Sequence, residues 1–460
     1  MNFKRIAFVL GLLLTLAALT EVPVLAQTVI NNDNTTLQQI IIFGRHSIRS
    51  GTQSPAQLAQ YALDPYPPFP VWPGCLTANG FTAETLLGAY FRQYLLYEGL
   101  LTGNDHTDSL HSYFRSNSIE RSWETADAFG TGLLPDTGAP VHSFEIGQPS
   151  QPDPVFDPIA AGVVTVDPNV AATQAQEIFN SGAALASAYS GEYSLISSVL
   201  FDNAPAPEGK VDPTTLPITL LPNTSPQLST GSVVNPGGLG AVQNAVDPFV
   251  MQYCDNFEMS QVAWGRLTPD QLSQETRIAT LIANIEVRLP YLSRVQSSNA
   301  ASHILRTMQQ AVMGSNLLGS FGNAGSRIVV VVSSDTFVAG LAGLLNLHWQ
   351  LPGYQQDFCA PGGALVFELR QPNGTKQHLV RVYYTAQTFD QLRNLTHLTL
   401  NEPPATIQLM VPGGSISATD LDVDFNAFQQ LMKNAIDRQY VQNPSKETQP
   451  GILTGVTCQE

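Results

Sequence analysis

The stretch Arg45-His46-Ser47-Ile48-Arg49 places a histidine between two arginines. Guanidinium groups bind phosphate oxygens through paired hydrogen bonds, and a neutral imidazole is a nucleophile that can attack phosphorus. Phosphoryl transfer needs positioning and charge stabilisation more than covalent machinery. We therefore interpret Arg45 and Arg49 as phosphate ligands and His46 as a nucleophile that forms a phosphohistidine. Solvated basic residues at a strand end are the alternative for this stretch taken alone.

A second polar stretch, Ser333-Ser334-Asp335-Thr336, supplies an acid. The leaving alkoxide needs a proton, and Asp335 can donate it if the neighbouring phosphate keeps its carboxyl protonated in acid. Arg121, near the start of a predicted helix, adds its charge to the positive end of that helix, which suits an anion. The alternative for Arg121 is surface pairing with Glu120 or Glu124. These residues together predict a site for a phosphate ester.

Two short apolar runs rich in β-branched residues must carry these groups, one over residues 40–43 and one over residues 327–332. Continuous runs of this kind are typical of strands buried on both faces. In open α/β sheets the ligand crevice lies at the carboxyl ends of the strands. If the two strands are neighbours, their polar loops face one another across the site.

The rest of the chain predicts an α/β fold with a mixed, largely parallel sheet flanked by helices. Apolar periodicity predicts helices over residues 81–101, 119–129, 170–195, 267–289, 299–313 and 425–441, with another ending near residue 347, a short strand at 113–116, and antiparallel strands at 362–369 and 378–384. We predict a signal peptide over residues 1–26, an α/β domain over 27–147 and 299–460, and an inserted, mainly helical domain over 148–298. Such an insertion usually covers a substrate cleft.

The first residues predict a secretory signal peptide, because Lys4 and Arg5 precede an apolar run over residues 6–19, with cleavage expected after Ala26. A membrane anchor is disfavoured, since the run is shorter than a bilayer requires. The net charge of −16 argues against nucleic acid and anionic membrane surfaces as partners. We expect a periplasmic or secreted protein whose partner is a small phosphomonoester held by a local basic cluster. The oligomeric state stays open.

Four cysteines, Cys75, Cys254, Cys359 and Cys458, fit an oxidising compartment and allow three disulfide pairings. None of them forms a C-x-x-C pair, so the sequence does not predict a zinc site. We expect neither a metal nor another cofactor.

The chain resembles the histidine acid phosphatases, specifically the bacterial periplasmic branch of phytases and glucose-1-phosphatases. That family carries Arg-His-Gly-x-Arg-x-Pro after its first strand and His-Asp-Thr after its second, where this chain has Arg45 to Gly51 and Ser334-Asp335-Thr336. Further similar segments, covering nearly all of the mature chain, are Gly74-Cys75-Leu76-Thr77, Glu120-Arg121, Pro152-Asp153-Pro154, Trp264-Gly265-Arg266-Leu267-Thr268, Asn346-Leu347-His348-Trp349 and Pro361-Gly362-Gly363. The resemblance implies a histidine phosphatase-like fold.

By position, the resemblance implies His46 as nucleophile and Asp335 as proton donor, with the phosphate clamp formed by Arg45, Arg49 and Arg121. Arg294 falls near a position that contacts substrate in phytases. Four residues depart from the family pattern: Ser47 replaces a glycine, Gly51 a proline, Ser334 the histidine before the acid, and Gln53 a lysine frequent in phytases. Ser334 shortens or removes a phosphate ligand, and Gln53 removes a charge that would help to hold a highly phosphorylated substrate.

We therefore predict a metal-independent acid phosphomonoesterase acting on small or sugar phosphates, as a glucose-1-phosphatase does. Within the same class the alternative is a phytase, which hydrolyses inositol hexakisphosphate. An alternative of another class is a binding protein for phosphate esters that keeps the arginines but has lost turnover with the change at Ser334.

Overall fold

A computed structural model describes residues 34–144, 152–225, 232–415, 417, 420–442 and 458. The predicted signal peptide lies outside the described residues, and so does the predicted boundary between residues 147 and 148. No helix in the described part of the chain combines the length and apolar character needed to cross a bilayer.

The strands are β1 (Thr35–Arg45), β2 (Ser112–Ser116), β3 (Val141–His142), β4 (Ile218–Pro222), β5 (Val234–Gly237), β6 (Ile328–Ser333), β7 (Ala364–Pro372), β8 (Leu379–Ala386), β9 (Ala405–Gln408) and β10 (Val423–Asp424). The α-helices are α1 (Pro55–Leu58), α2 (Ala78–Tyr97), α3 (Asp105–Ser109), α4 (Glu120–Leu133), α5 (Pro168–Phe179), α6 (Gly182–Ala188), α7 (Ser190–Phe201), α8 (Gly238–Cys254), α9 (Pro269–Glu286), α10 (Pro290–Met313), α11 (Asp335–Leu345), α12 (Phe389–Arg393) and α13 (Phe425–Ala435).

Eight strands form one mixed sheet in the order β10-β8-β7-β1-β6-β2-β3, with β9 paired to β8. The pairs β1·β6, β6·β2 and β2·β3 are parallel, and β7 joins β1 and β8 in antiparallel fashion. The predicted α/β fold with an antiparallel addition is confirmed. β4 and β5 form a separate two-stranded hairpin.

The central strands are buried on both faces, as their continuous apolar runs predict. Successive side chains of a strand point to opposite faces, so Ile40 and Ile42 of β1 pack against α2 and α4, while Ile41 and Phe43 belong to the core on the other face. That second core contains residues of α10 and α11 and continues into the helices between residues 168 and 286.

The predicted elements recur with shifted bounds. Residues 170–195 form three helices, α5 to α7, instead of one, and α10 starts nine residues before the predicted residue 299. The predicted domain boundary at residues 298 and 299 thus falls inside a continuous helix, and the division into domains stays a prediction. No pattern in the sequence predicted α8, which contains Pro248. The predicted start of α9 is present, with a capping box formed by Thr268 and Gln271.

One of the three possible disulfides is present. Cys75 and Cys458 are joined, with their Cα atoms 6.0 Å apart. Cys254 and Cys359 are buried free thiols. The disulfide ties residue 458 to the loop that follows Gly74, beside the residues described next.

Candidate active site

The carboxyl ends of β1 and β6 meet, as the sequence predicted for neighbouring strands. Arg45 pairs in register with Ser333, and the backbone N–H of His46 donates to the carbonyl of Ser333 at 2.8 Å. The loop after β1 is held from the other side by α2. An added Cβ at Gly80 would lie 2.2 Å from the carbonyl oxygen of Ile48, so only glycine permits this close packing.

His46 lies buried at the centre of the site. Its Nδ1 is 2.9 Å from the carbonyl oxygen of Ser47. A carbonyl can only accept, so Nδ1 carries the hydrogen and the Nε2 lone pair is left available. Burial, followed by the charges of Arg121, Arg45 and Arg49, holds the pKa of His46 well below its usual value. The imidazole is therefore neutral and nucleophilic even in acid.

The three predicted phosphate ligands surround this imidazole. Arg45 donates from Nη1 to the carbonyl of Cys359 at 2.5 Å, and its Nη2 lies 3.4 Å from Oδ2 of Asp335. Arg121 donates from Nη1 to the carbonyl of Gly74 at 3.2 Å. Burial and the nearby charge of Arg49 lower the pKa of Arg121 to about 10. Arg45 and Arg121 are thus each held by a backbone carbonyl group.

The Nε atoms of Arg45, Arg49 and Arg121 share one property. All three are buried and have no hydrogen-bond partner among the described residues. Buried N–H groups are nearly always paired in native proteins, so three such donors around one histidine require an explanation. An anion with several acceptor oxygens would satisfy them together. We call Arg45, His46, Arg49 and Arg121 the phosphate wall.

Asp335 is the first residue of α11, directly after β6. Its side chain is 44% exposed, so its carboxyl group is accessible to solvent and to a bound substrate. Ser334 precedes it as the N-cap residue but forms no side-chain capping bond. The structure therefore places Ser334 and Asp335 at the edge of the phosphate wall, opposite the loop after β1.

Arg294 is not brought to this group. It is exposed on α10, and its charge acts on Tyr440, near the end of the described chain. The charges that act on His46 are those of the other three arginines. The sequence match that suggested Arg294 as a substrate ligand is weak, and no described contact joins Arg294 to His46 or to the other three arginines.

Sequence reasoning missed Asp247. Its carboxylate accepts two hydrogen bonds of 2.8 Å from Nη1 and Nη2 of Arg49. Burial raises the pKa of Asp247, but the Arg49 guanidinium outweighs this effect and the net shift is downward. Asp247 is therefore ionised and orients the guanidinium that faces His46. A single acidic residue in the apolar segment of α8 was a usable signal, because a buried charge requires a partner.

Glu84 on α2 was also missed. It is buried behind the phosphate wall, in contact with Ser47, and burial raises its pKa well above the usual value. An added Cβ at Gly362 would lie 2.7 Å from Oε2 of Glu84, which shows how tightly this carboxyl is enclosed. Glu84 is therefore a neutral acid beneath the loop after β1.

Two adjoining cavities extend from the phosphate wall toward α8 and α9. They have volumes of about 40 and about 110 Å³ and share Gln243, Ala279, Asp335 and Phe358. Several acceptor side chains line them, Gln243 and Asp247 on α8 and Glu275 and Glu286 on α9. We call these four residues the helical wall. Burial, and then the charge of Asp335, raise the pKa of Glu286 to about 8.

Known proteins resemble most of the chain. No family model matches it. It is 28% identical to the phytase AppA of Escherichia coli over 391 residues, which span 82% of this chain and 87% of that protein. It is 26% identical to the glucose-1-phosphatase of Salmonella typhimurium over 407 residues, or 87% and 92% of the two chains. The solved structure of Hafnia alvei phytase in complex with tartrate has a TM-score of 0.79 and 25% identity, covering 90% of this chain and 100% of that one.

These similarities extend over both the sheet and the helices that face it. They agree with the motif resemblance at the ends of β1 and β6, which rests on different observations. The chain is thus similar in sequence and in fold to bacterial phytases and glucose-1-phosphatases, which supports its resemblance to that branch of the histidine acid phosphatases.

Proposed function

We propose that this chain is an acid phosphomonoesterase that hydrolyses small or sugar phosphates through a phosphohistidine at His46. The observation that carries the proposal is the set of three unpartnered Nε donors around a buried, neutral imidazole. A phosphoryl group offers three oxygens to these donors while its phosphorus faces Nε2 of His46. The relatives whose names describe phosphatase and phytase activity support the same chemistry.

In the first step Nε2 of His46 attacks phosphorus and the bond from phosphorus to the ester oxygen breaks. The leaving oxygen takes the proton of Asp335, so an alcohol departs and a carboxylate remains. In the second step water attacks the phosphorus of the phosphohistidine, Asp335 accepts the proton, and inorganic phosphate leaves with His46 neutral again. Arg45, Arg49 and Arg121 stabilise the charge on the phosphoryl oxygens in both steps.

The helical wall favours a monophosphate with an uncharged leaving group. Asp247 is ionised beside Arg49, and Glu275 and Glu286 add further carboxyl groups to the cavities. Additional phosphate groups on the leaving group would meet acceptors and negative charge there. Gln53, which stands where many phytases have a lysine, likewise adds no positive charge. The names of the phytase relatives favour the alternative, hydrolysis of inositol hexakisphosphate.

The predicted signal sequence and the disulfide between Cys75 and Cys458 support export to the periplasm or the exterior. We also propose residues 148–298 as the insertion that closes the cleft over the substrate.

The test is hydrolysis by the purified mature protein, near pH 5, of p-nitrophenyl phosphate, glucose 1-phosphate and inositol hexakisphosphate. We expect turnover of the first two, with a higher kcat/KM for glucose 1-phosphate than for inositol hexakisphosphate. The reverse order would support the phytase alternative. Binding of vanadate without turnover of any of the three would support the non-catalytic binding protein.

A further inference from the structure

The smaller of the two cavities begins at the phosphate wall, where Arg45 and Asp335 line it, and ends between α8 and α9. A phosphoryl group on His46 would direct its leaving group past Asp335, the proton donor, and into this space.

Glu275 is the unexplained residue of this cavity. It is 2% exposed, lies between the buried Leu272 and Ile278 on the packed face of α9, and neither carboxyl oxygen has a hydrogen-bond partner among the described residues. Oε1 of Gln243, across the cavity on α8, is likewise buried and unpartnered. Buried polar atoms without partners are costly, so they are rare unless a ligand satisfies them.

The described neighbours do not supply the missing donors. Tyr66 lies near Glu275, but its hydroxyl donates to the carbonyl of Ala245 at 3.0 Å. Arg45 is engaged by the Cys359 carbonyl and by Asp335. This end of the cavity therefore presents acceptors, and a ligand that fills it must bring hydrogen-bond donors.

We infer that Glu275 and Gln243 determine the specificity of this cleft by hydrogen-bonding the hydroxyl groups of an uncharged sugar leaving group. The inference rests on the proposed phosphomonoesterase function and names the leaving-group class that this site selects. A phosphorylated leaving group would instead bring additional negative charge into the cavity that the ionised Asp247 lines.

A hydroxyl group suits these residues better than an ammonium group does. Burial raises the pKa of Glu275 well above its usual value, so its carboxyl is protonated under acidic conditions. A neutral carboxyl both donates and accepts, as a sugar hydroxyl does, whereas a cation would need a carboxylate. The Gln243 amide has the same dual character.

The experiment compares glucose 1-phosphate with p-nitrophenyl phosphate, whose leaving group has no additional hydroxyl. Replacing Glu275 by leucine removes the hydrogen bonds at similar volume, and Glu275→Gln retains a donor and an acceptor. We expect Glu275→Leu to lower the ratio of the two kcat/KM values, sugar over nitrophenyl, by about tenfold or more, with the loss partly restored in Glu275→Gln. Gln243→Leu should lower the ratio in the same direction. Gln274→Leu, next to Glu275 but outside the cavity lining, is the matched control and should leave the ratio unchanged.

Equal losses on both substrates in Glu275→Leu would mean that the residue acts through the fold, and would overturn the specificity role. An unchanged ratio in both Glu275 variants would overturn it as well. A wild-type preference for O-phosphoethanolamine over glucose 1-phosphate would overturn the inference of a sugar leaving group and indicate a cationic one. A wild type that hydrolyses none of these esters would overturn the proposed function itself, which separates that failure from the others.

Discussion

The phosphate wall and the helical wall face each other across one cleft but differ in charge and in origin. The phosphate wall presents buried arginine donors around His46, fixed by the ends of two parallel strands. The helical wall presents acceptors carried on α8 and α9, and its Asp247 reaches across to hold Arg49. On the proposed mechanism the phosphate wall acts on the phosphoryl group of any substrate, and on the proposed specificity the helical wall selects the group attached to it.

Removing the nucleophile from the phosphate wall should cause the largest loss of activity. His46→Ala should lower kcat/KM by about ten-thousandfold or more on every substrate, while vanadate still binds because the three arginines remain. Acid quenching of the wild type during turnover should trap a phosphoenzyme that the variant does not form. Residual activity within about tenfold of wild type would refute the assignment of His46.

Asp335→Asn should distinguish leaving groups, because a poor leaving group needs the proton in the transition state. We expect kcat for glucose 1-phosphate to fall by roughly a hundredfold to ten-thousandfold and kcat for p-nitrophenyl phosphate much less. Steady-state kinetics on both esters near pH 5 measure this contrast. Equal losses on the two would show that Asp335 is not the proton donor.

Ser334→His should raise the rate by adding a hydrogen-bond donor beside the phosphate wall. A donor to a phosphoryl oxygen in a preorganised site contributes about 3 kcal/mol to transition-state stabilisation, or roughly a hundredfold in rate. Ser334 forms no capping bond with α11, so replacing it does not remove a helix cap. kcat should rise more than KM changes, since the contact strengthens in the transition state. If the wild type is already as fast as the variant, another group, with Ser47 as the candidate, fills this role.

The buried carboxyl groups of the helical wall should make the stability of the protein depend on pH. Burial raises the pKa of Glu275 in the folded state above the usual 4.5, so the folded protein keeps a proton that the unfolded chain releases. The free energy of unfolding should therefore decrease as the pH rises above about 4.5, by up to roughly 1.4 kcal/mol per pH unit from this group.

Urea unfolding near pH 5 and near pH 7 measures this slope. Glu275→Gln cannot ionise, so its stability relative to wild type should be greater at pH 7 than at pH 5. Glu286→Gln is the matched comparison, because the pKa of Glu286 is raised to about 8 and the sign of its effect is the same. Parallel pH profiles for wild type and both variants would contradict the prediction.

The sequence by itself predicted most of the phosphate wall because Arg45, His46 and Arg49 lie in one short, contiguous motif, whereas Arg121 was assigned from a predicted helix start and from the family resemblance. A strand buried on both faces has a continuous apolar run, and the residues that follow it necessarily emerge at the edge of the sheet. His46, Arg45, Arg49 and Asp335 could thus be placed from residues 40–49 and 327–336 alone. The same logic predicted the mixed sheet and most of its helices, though with bounds shifted by several residues.

Only the tertiary structure decided the helical wall. Gln243, Asp247 and Glu275 lie about two hundred residues from His46 in the sequence, on helices whose orientation depends on packing and not on local propensity. A buried carboxyl group can be suspected from an acidic residue among apolar neighbours. Its partner depends on how α8 and α9 pack against the sheet: Asp247 binds Arg49, whereas Glu275 has no hydrogen-bond partner among the described residues. The chemistry follows from local sequence, and the selectivity follows from long-range packing.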